Sequence, residues 1–375
     1  MVTNTGIERR RGRVPKGLVS RRLWPWLVIC VGVLTALVPR SAAAHERWFT
    51  PNGPYSAVEW DRIISLPVLL ALISGAAVVM ALRLGQRVTG DPLWPRPTFS
   101  QGLEPSAPAI LGVQTAIAMI FAASRLNLFV PNIELRENVT GVLIAAIAAI
   151  AAFSFITGVL TRAGALVTIG LWLVAFAVAP WEEVLEQTIF VGIAVYLAVV
   201  GRGVVLDGGR IEALLGGLAD RLTPYALPAL RIGAGISVVV LALTEKLLNV
   251  DLGVAFLHQY PRFNVAHEAG ITWFTDERFV YAAGIVEATA GVALLSGYLT
   301  RVVILALWIP FNLGIAFLPV QELIGHLPIL SAMYVLLVRG TEGIPSRAEE
   351  APAATGQVSQ TGQRRRPPAV AARPG

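Results

Sequence analysis

The residue that most suggests a chemical role is Glu287, a carboxylate within the apolar stretch 279–298. A charged group at the centre of a membrane helix costs about 2.5–3.5 kcal/mol on insertion scales, and such residues are usually paired, protonated or functional. We therefore predict a catalytic, proton-handling role for Glu287. Arg231, at the end of another apolar stretch, is predicted to bind an anionic substrate or to pair with Glu287. The alternative is that a protonated Glu287 only hydrogen-bonds a neighbouring helix.

A second candidate is the pair formed by Glu322 and His326. Their i, i+4 spacing places both positions on one face of a helix. A carboxylate beside an imidazole can relay a proton to or from a quinol, or hold a metal together with a third ligand. Both residues are therefore predicted to be catalytic. Equally open is the interpretation that they are a helix-start carboxylate and an interfacial histidine, both solvated.

Three of the four histidines, His45, His258 and His267, suggest a metal site. Cleavage after Ala44 would make His45 the first residue of the mature chain. Its amine and imidazole would then chelate one metal in a manner that suits copper(II), with His258 or His267 supplying another nitrogen. The alternative is a cleavage site that happens to precede a histidine. Haem is disfavoured because no two histidines lie within facing apolar stretches.

Composition assigns the chain to the membrane proteins. Of its 375 residues, 55% are hydrophobic and 14% are charged, whereas soluble domains contain about 25% charged residues. The net charge of +6 and the pI of about 9.9 do not indicate nucleic-acid binding, because the arginines cluster between apolar stretches and at both ends, as membrane orientation requires. The one cysteine, Cys30, would be lost with the N-terminal segment, which excludes thiol and iron–sulfur chemistry from the mature chain. The sequence contains no P-loop, dinucleotide fingerprint, H-E-x-x-H or G-x-S-x-G motif.

Residues 1–44 have the three parts of a signal peptide: a basic region, an apolar run and the small-residue site Ala42-Ala43-Ala44. The basic region is long, so an uncleaved anchor helix is the alternative. Residues 45–106 are predicted to form an external segment, one transmembrane helix and a cytoplasmic loop.

Nine further apolar stretches are predicted to span the hydrocarbon core, which is about 30 Å thick. They are 62–82, 107–130, 139–160, 163–180, 184–200, 226–246, 279–298, 302–319 and 324–338. Arginines in alternate connections place 83–106, 201–225 and the tail 341–375 in the cytoplasm. The sequence therefore predicts an all-α, multi-pass plasma-membrane protein with the lipid bilayer as partner and a disordered tail. The external loop 247–278 is longer than most helix connections and is the predicted lid or partner-docking surface.

The chain contains an internal duplication. Gly158-Val-Leu-Thr-Arg162 recurs as Gly297-Tyr-Leu-Thr-Arg301. Further matches at nearly the same offset are Pro180 with Pro319, Glu183 with Glu322 and Tyr196 with Tyr334, and upstream Arg125-Leu126 resembles Lys246-Leu247. Four helices in each unit give both units the same orientation. We predict two tandem, parallel-oriented four-helix bundles, 107–203 and 226–340, joined by an amphipathic linker, 204–225.

Polar groups are concentrated in the second unit. Glu287, Asn312 and His326 match Ala148, Leu173 and Gln187 of the first unit. We therefore predict that the first unit is mainly a scaffold and that the second holds the site. Asn312 is predicted, with Arg231, to bind the substrate.

The second unit also contains Arg231-Ile-Gly-Ala-Gly, Glu245-Lys-Leu-Leu-Asn249, Gly291 and Gly325-His-Leu-Pro328. On these residues, 226–340 resembles the DoxX family of small four-helix membrane proteins. The resemblance is fainter over 107–203 and absent from 45–106. It implies the fold, and, because the family includes a subunit of thiosulfate:quinone oxidoreductase, it implies a quinone-linked redox or oxidative-stress role with a partner subunit.

Three functions are compatible with these patterns, and they leave open whether the protein is an enzyme. The first is a redox-linked membrane subunit, with a quinone near the outer leaflet and Glu287, Glu322 and His326 managing protons. The second is a proton-coupled small-molecule transporter that uses Glu287. The third is an outer-face copper-handling protein that uses His45.

Overall fold

The computed structural model describes residues 58–89, 102–129, 133–202, 210–315 and 320–340, without the side chains of 89, 210–217 and 309–322. The α-helices in these ranges are α1 (Leu66–Thr89), α2 (Ala107–Ala123), α3 (Val139–Thr157), α4 (Thr161–Ala175), α5 (Trp181–Glu186), α6 (Thr188–Val200), α7 (Arg210–Leu241), α8 (Val250–Gln259), α9 (Val265–Glu268), α10 (Asp276–Ser296), α11 (Thr300–Ile315) and α12 (Val320–Arg339). A π-helical segment, Ala242–Leu247, directly continues α7. Strands β1 (Asn127–Leu128) and β2 (Ile133–Glu134) pair antiparallel between α2 and α3.

The prediction of an all-α membrane protein is confirmed by the length and composition of the helices. Five segments in the described ranges are long and apolar enough to cross a membrane: Leu66–Val88, Glu104–Ala123, Val139–Thr157, Leu218–Leu247 and Asp276–Ser296. Three apolar helices are shorter: Thr161–Ala175, Thr188–Val200 and Leu323–Arg339. Large apolar side chains point outward from these helices, among them Ile150, which is 70% exposed. Such a surface suits lipid as the surrounding solvent.

The turns after α3 and α10 have the same backbone conformation. Gly158 ends α3 with φ 74°, and Gly297 ends α10 with φ 75°. Two residues later, Leu160 and Leu299 are also left-handed, with φ 54° and 46°. Glycine ends helices in this way because it has no Cβ to clash in the left-handed region. The two turns are the positions that the predicted duplication aligns.

The arginines that follow these turns also make matching contacts. Arg162 Nη2 donates to the carbonyl of Val199, near the end of α6, at 3.4 Å. Arg301 Nε and Nη2 donate to the carbonyls of Leu337 and Val338, near the end of α12, at 3.0 and 3.1 Å. The last carbonyls of a helix lack intrahelical partners, so each arginine satisfies groups that would otherwise remain unpaired.

The described helices form two neighbouring groups. In the first, α2, α3, α4 and α6 pack in sequence, and in the second, α7, α10, α11 and α12 do so. The groups meet twice, because α6 packs on α7 and α12 packs on α2. At the first contact the backbones approach closely: a Cβ added to Gly233 would lie 2.9 Å from Gly192 Cα. Small residues allow such approaches between membrane helices.

Helix α1 packs against α10 of the second group. The Ser74 and Thr289 hydroxyls lie 2.6 Å apart, and Leu299 N donates to Gln86 Oε1 at 3.4 Å. The N-terminal end of α1 also approaches α5, since the rings of Trp60 and Trp181 stack with centroids 5.1 Å apart. The N-terminal part of the described chain is therefore attached mainly to the second group.

The span predicted over 62–82 is the helix Leu66–Thr89, which extends into the predicted loop 83–106. Three further differences from the predicted boundaries have a backbone cause. The predicted span 184–200 is split between α5 and α6, because Gln187 is non-helical with φ −92° and ψ 13°. The predicted linker 204–225 and the span after it share α7, which continues through Pro224 and Pro228. An amphipathic and an apolar stretch have the same helical period, so the change in composition does not end the helix. The predicted span 107–130 ends at Ala123, because Leu126 is left-handed (φ 57°) and the chain turns into β1.

The loop predicted over 247–278 is largely helical. It contains α8, α9 and a small apolar core, in which Val250, Leu257 and Val280 are buried. Asn264, 1% exposed, donates to Asp276 Oδ1 at 2.8 Å and thereby ties the loop to the start of α10. Its role as a lid or docking surface stays a prediction.

Candidate functional site

Glu287 is joined to a lysine from the neighbouring helix. Lys246 Nζ lies 3.2 Å from Glu287 Oε2, with side chains 14% and 34% exposed, respectively. Breaking such a pair by removing one partner leaves an uncompensated charge away from water, which is costly. The contact explains how a carboxylate is accommodated midway along α10.

The lysine is carried by the π-helical segment Ala242–Leu247. In a π-helix each backbone N–H donates to the carbonyl five residues earlier, instead of four as in an α-helix. Leu248 N donates to Leu243 O in this way, at 2.8 Å. Within this segment Thr244 is 0% and Glu245 1% exposed, while Lys246 reaches α10. Single π-helical turns inside membrane and soluble helices are rare and occur frequently at functional sites.

On its other side the π segment contacts α5 through a short hydrogen bond. The Thr244 hydroxyl lies 2.6 Å from Glu186 Oε1 and 2.9 Å from Val240 O. A hydroxyl has one hydrogen and so donates one bond. Thr244 donates to Glu186 Oε1, and Val240 O, the carbonyl four residues earlier, competes for the same hydrogen. The Glu186 side chain is only 1% exposed.

Buried amides and a hydroxyl are carried by residues close to this pair in the sequence. Ile189 N donates to Ser237 Oγ at 2.8 Å. Gln187 and Asn249 are 3% and 6% exposed, and their side-chain nitrogens have no hydrogen-bond partner among the described residues. We call the whole set the polar cluster: Glu186, Gln187, Ser237, Thr244, Glu245, Lys246, Asn249 and Glu287. Its orphaned nitrogens are hydrogen-bond donors, so the cluster can bind an acceptor such as a carbonyl oxygen.

Arg231 does not reach Glu287 but caps the end of α10. Its Nη1 donates to the carbonyls of Leu294 and Leu295, the second at 2.7 Å. Glu287 lies two turns earlier and pairs with lysine instead. The predicted alternative of an Arg231–Glu287 pair is therefore wrong, and the arginine's predicted role in substrate binding stays a prediction.

The first group of helices has a similar cap at the end of α3. Arg202 Nη1 donates to the carbonyls of Phe155 and Ile156. Burial lowers the pKa of Arg202, but a guanidinium remains charged in proteins. Arginine caps of this kind are therefore structural features of both groups.

The other predicted site residues are not brought to the polar cluster by any described contact. His258 is exposed and its Nε2 lies 3.9 Å from Asp276 Oδ2, and His267 is exposed on α9. His326 is half-buried on α12. His45 and the side chains of Asn312 and Glu322 lie outside the described residues.

A metal site has no support in the part of the chain that the structure describes. No group of three or more His, Cys, Asp or Glu side chains is placed there to hold a metal ion. The copper hypothesis depends on His45 and stays a prediction.

The sequence analysis missed Glu186, Thr244 and the pairing of Lys246 as parts of the site. A signal was present, because Glu245 and Lys246 lie within the predicted span 226–246, and Glu186 and Gln187 lie within 184–200. Polar residues inside spans indicate functional sites by default. Glu287 was identified because all its near neighbours are apolar, whereas the others lie near span ends, where polar residues are common.

Comparison of the chain with protein-family models, with curated proteins and with solved structures finds no match in any of the three.

Proposed function

We propose that the chain consists of two tandem, parallel-oriented four-helix bundles of the DoxX kind, an extra transmembrane helix and a cleaved signal peptide. The matching turns at Gly158 and Gly297 and the matching contacts of Arg162 and Arg301 support the duplication. In the plasma membrane, the tail 341–375 would be cytoplasmic and the 247–278 region external, as the distribution of arginines suggests.

We propose that the polar cluster exchanges protons in the service of quinone-linked redox chemistry. The observation that carries this proposal is the Glu186–Thr244–Val240 arrangement, in which one hydroxyl hydrogen faces two acceptors unless Glu186 holds a proton. The Lys246–Glu287 pair lies two residues along the same π segment. A proton that binds Glu287 would neutralise it and break its ion pair with Lys246. Lys246 and Thr244, the partner of Glu186, lie on the same π segment, so a change at Glu287 would reach Glu186 through this backbone.

A quinone fits the donors that the cluster presents. The side-chain nitrogens of Gln187 and Asn249 are buried donors without partners among the described residues, and a quinone has two carbonyl oxygens that accept hydrogen bonds. When bound, a quinone supplies two-electron chemistry linked to two protons. Gln187 and Asn249 would hold and orient it, and the surrounding helices would exclude water.

The first test measures quinone binding by native mass spectrometry of the purified protein with added ubiquinone or menaquinone. We expect one bound quinone, lost in Gln187→Leu and retained in Gln259→Leu, since Gln259 is exposed at the end of α8. Equal binding by both variants, or none by the wild type, would contradict the quinone assignment.

The second test measures proton uptake in proteoliposomes when the added quinone is reduced. Glu287→Gln should lower uptake at least tenfold. Glu277→Gln, an exposed carboxylate in the first turn of the same helix, should leave uptake unchanged. Equal uptake by the two variants would remove Glu287 from the proton-handling role.

A proton-coupled transporter is the second candidate, and the position of the polar cluster favours it. Glu186 and Ser237 contribute from α5 and α7, where the two groups of helices meet, and repeat interfaces hold the sites of many transporters. The same liposomes distinguish the candidates. Proton flux driven by a potassium diffusion potential without quinone would favour transport, and flux only with quinone would favour redox coupling.

A further inference from the structure

A second polar region lies at the opposite end of α6 from the polar cluster. Tyr196 is 0% exposed, and its hydroxyl has no hydrogen-bond partner among the described residues. Nine residues separate it from Gln187, or about 14 Å along a helix. The proposed function does not use this residue.

Two charged residues lie close to Tyr196. Arg339 Nη1 is 3.6 Å from Glu104 Oε2, with side chains 12% and 18% exposed; Arg339 lies on α12 and Glu104 directly before α2, and both of these helices pack on α6, the helix that carries Tyr196. Arg339 Nε is buried and has no hydrogen-bond partner among the described residues. An unsatisfied hydroxyl and an unsatisfied N–H therefore lie in the same buried region, at a contact where α12 packs on α2.

The tyrosine that the duplication matches with Tyr196 is satisfied. Tyr334 OH lies 3.0 Å from Ser106 Oγ. The two tyrosines occupy corresponding helices, α6 and α12, yet among the described residues only Tyr334 has a partner for its hydroxyl. Buried polar groups are nearly always paired with protein or ordered water, so the difference between the two tyrosines indicates that a bound molecule pairs with Tyr196.

We propose that Tyr196 and Arg339 bind an internal water molecule, and that this hydrated site is the far end of a proton route through the protein. Water suits this site because its oxygen can accept a hydrogen bond from the Arg339 N–H, which can only donate. The same water can either donate to the Tyr196 hydroxyl or accept from it. Glu104 supplies a third polar group nearby, and buried waters typically have two to four such partners. The proton route rests on the proposed function, whereas the hydration does not.

Hydration is tested by hydroxyl-radical labelling of the whole protein in mild detergent, read by mass spectrometry. Radicals formed from a bound water label adjacent side chains. After correction for intrinsic reactivity, Tyr196 should be labelled at least tenfold faster than Phe155 and Phe190, which are 0% and 1% exposed. Tyr225, which is 63% exposed, gives the labelling rate expected of a fully accessible tyrosine. A dry site would label Tyr196 as slowly as the two phenylalanines and would overturn the proposal.

The proton route is tested by Tyr196→Phe and Tyr334→Phe in the liposome assay, with Glu287→Gln as reference. Tyr196→Phe should lower proton uptake at least tenfold without lowering Tm, because its hydroxyl has no hydrogen-bond partner in the described part of the chain. Tyr334→Phe should keep uptake and lower Tm. If only Glu287→Gln loses uptake, the Tyr196 end of the route is wrong. If none of the three loses uptake, the proposed function fails, and the labelling result alone decides whether water is bound.

Discussion

The two groups of helices have different residues at positions that the proposed duplication matches. In the second group, Glu287 is paired with Lys246. The duplication matches Glu287 with Ala148, which is 1% exposed in the first group, and Lys246 with Arg125. The Arg125 guanidinium lies over the Phe121 ring, 3.7 Å from its centroid. Under the proposed duplication, one group folds with an alanine at this place, so the fold would not require a carboxylate there. This favours a functional interpretation of Glu287.

The backbone differs as well as the side chains. Helix α2 ends at Ala123 and the chain turns into β1, with Leu126 left-handed. Helix α7 instead passes into the π segment that carries Thr244, Glu245 and Lys246. The extra residue in a π-helical turn changes which side chains face the interior. The π segment at the end of α7 thus carries the buried Thr244 and Glu245, but the polar cluster also draws the buried Glu186 and Gln187 from the first predicted unit, so the prediction that this unit is mainly a scaffold is too simple.

The largest expected effect comes from breaking the ion pair. Lys246→Met should reduce the free energy of unfolding by about 3 kcal/mol, near the low end for a buried pair, because Glu287 is 34% exposed. Denaturant titration in detergent would measure it. Lys246→Met combined with Glu287→Ala, which removes both charges together, should fall within about 1 kcal/mol of wild type.

The matched variant in the first group is Arg125→Met. Loss of its contact with Phe121 should cost about 1 kcal/mol. If Lys246→Met were no more destabilising than Arg125→Met, the two groups would not differ energetically in the way that the ion pair implies.

The contact between the groups gives the next effect. Gly233→Ala should destabilise by about 2 kcal/mol, because the new Cβ would lie 2.9 Å from Gly192 Cα. Gly170→Ala on α4 is the control, since no atom lies within 4 Å of its added Cβ. It should be neutral, or stabilising by up to about 1 kcal/mol through helix propensity. Equal Tm values for the two variants would contradict the close packing of α6 on α7.

The paired glycine turns allow a finer comparison. Gly158→Ala and Gly297→Ala should each cost about 1–2 kcal/mol, because both glycines are left-handed. Gly297→Ala should cost more, since its Cβ would lie 2.8 Å from Arg231 Cζ and would displace the cap of α10. Thermal unfolding of the two variants side by side measures the difference, and the reverse order would argue against that cap.

The smallest effect on stability concerns the hydrogen bond between Thr244 and Glu186. Thr244→Val should cost about 1 kcal/mol, the typical value of one hydrogen bond. Infrared spectroscopy should show a protonated carboxyl band in the wild type that disappears in Glu186→Gln and remains in Glu182→Gln, which changes the carboxylate four residues earlier. A band unchanged in Glu186→Gln would mean that Glu186 is not its source.

The sequence by itself determined the class of the protein and the places where its helices lie. Apolar stretches of membrane-spanning length and a lack of charged residues require helices in lipid, because backbone groups there must be satisfied within the chain. The Gly158 and Gly297 motifs also located two turns correctly, since a left-handed helix end is a local requirement for glycine. Glu287 was recognised for the same reason: its anomaly is visible from its neighbours in the sequence.

Only the tertiary structure decided which partners the polar residues take. Lys246 and Glu287 are far apart in sequence, as are Thr244 and Glu186, and their pairing depends on how α5, α7 and α10 pack. The π turn and the break at Gln187 are backbone choices without a strong local signal. Helical periodicity indicates which residues share a face of a helix. It does not indicate which neighbouring helix covers that face, because that depends on how helices from distant parts of the chain pack together.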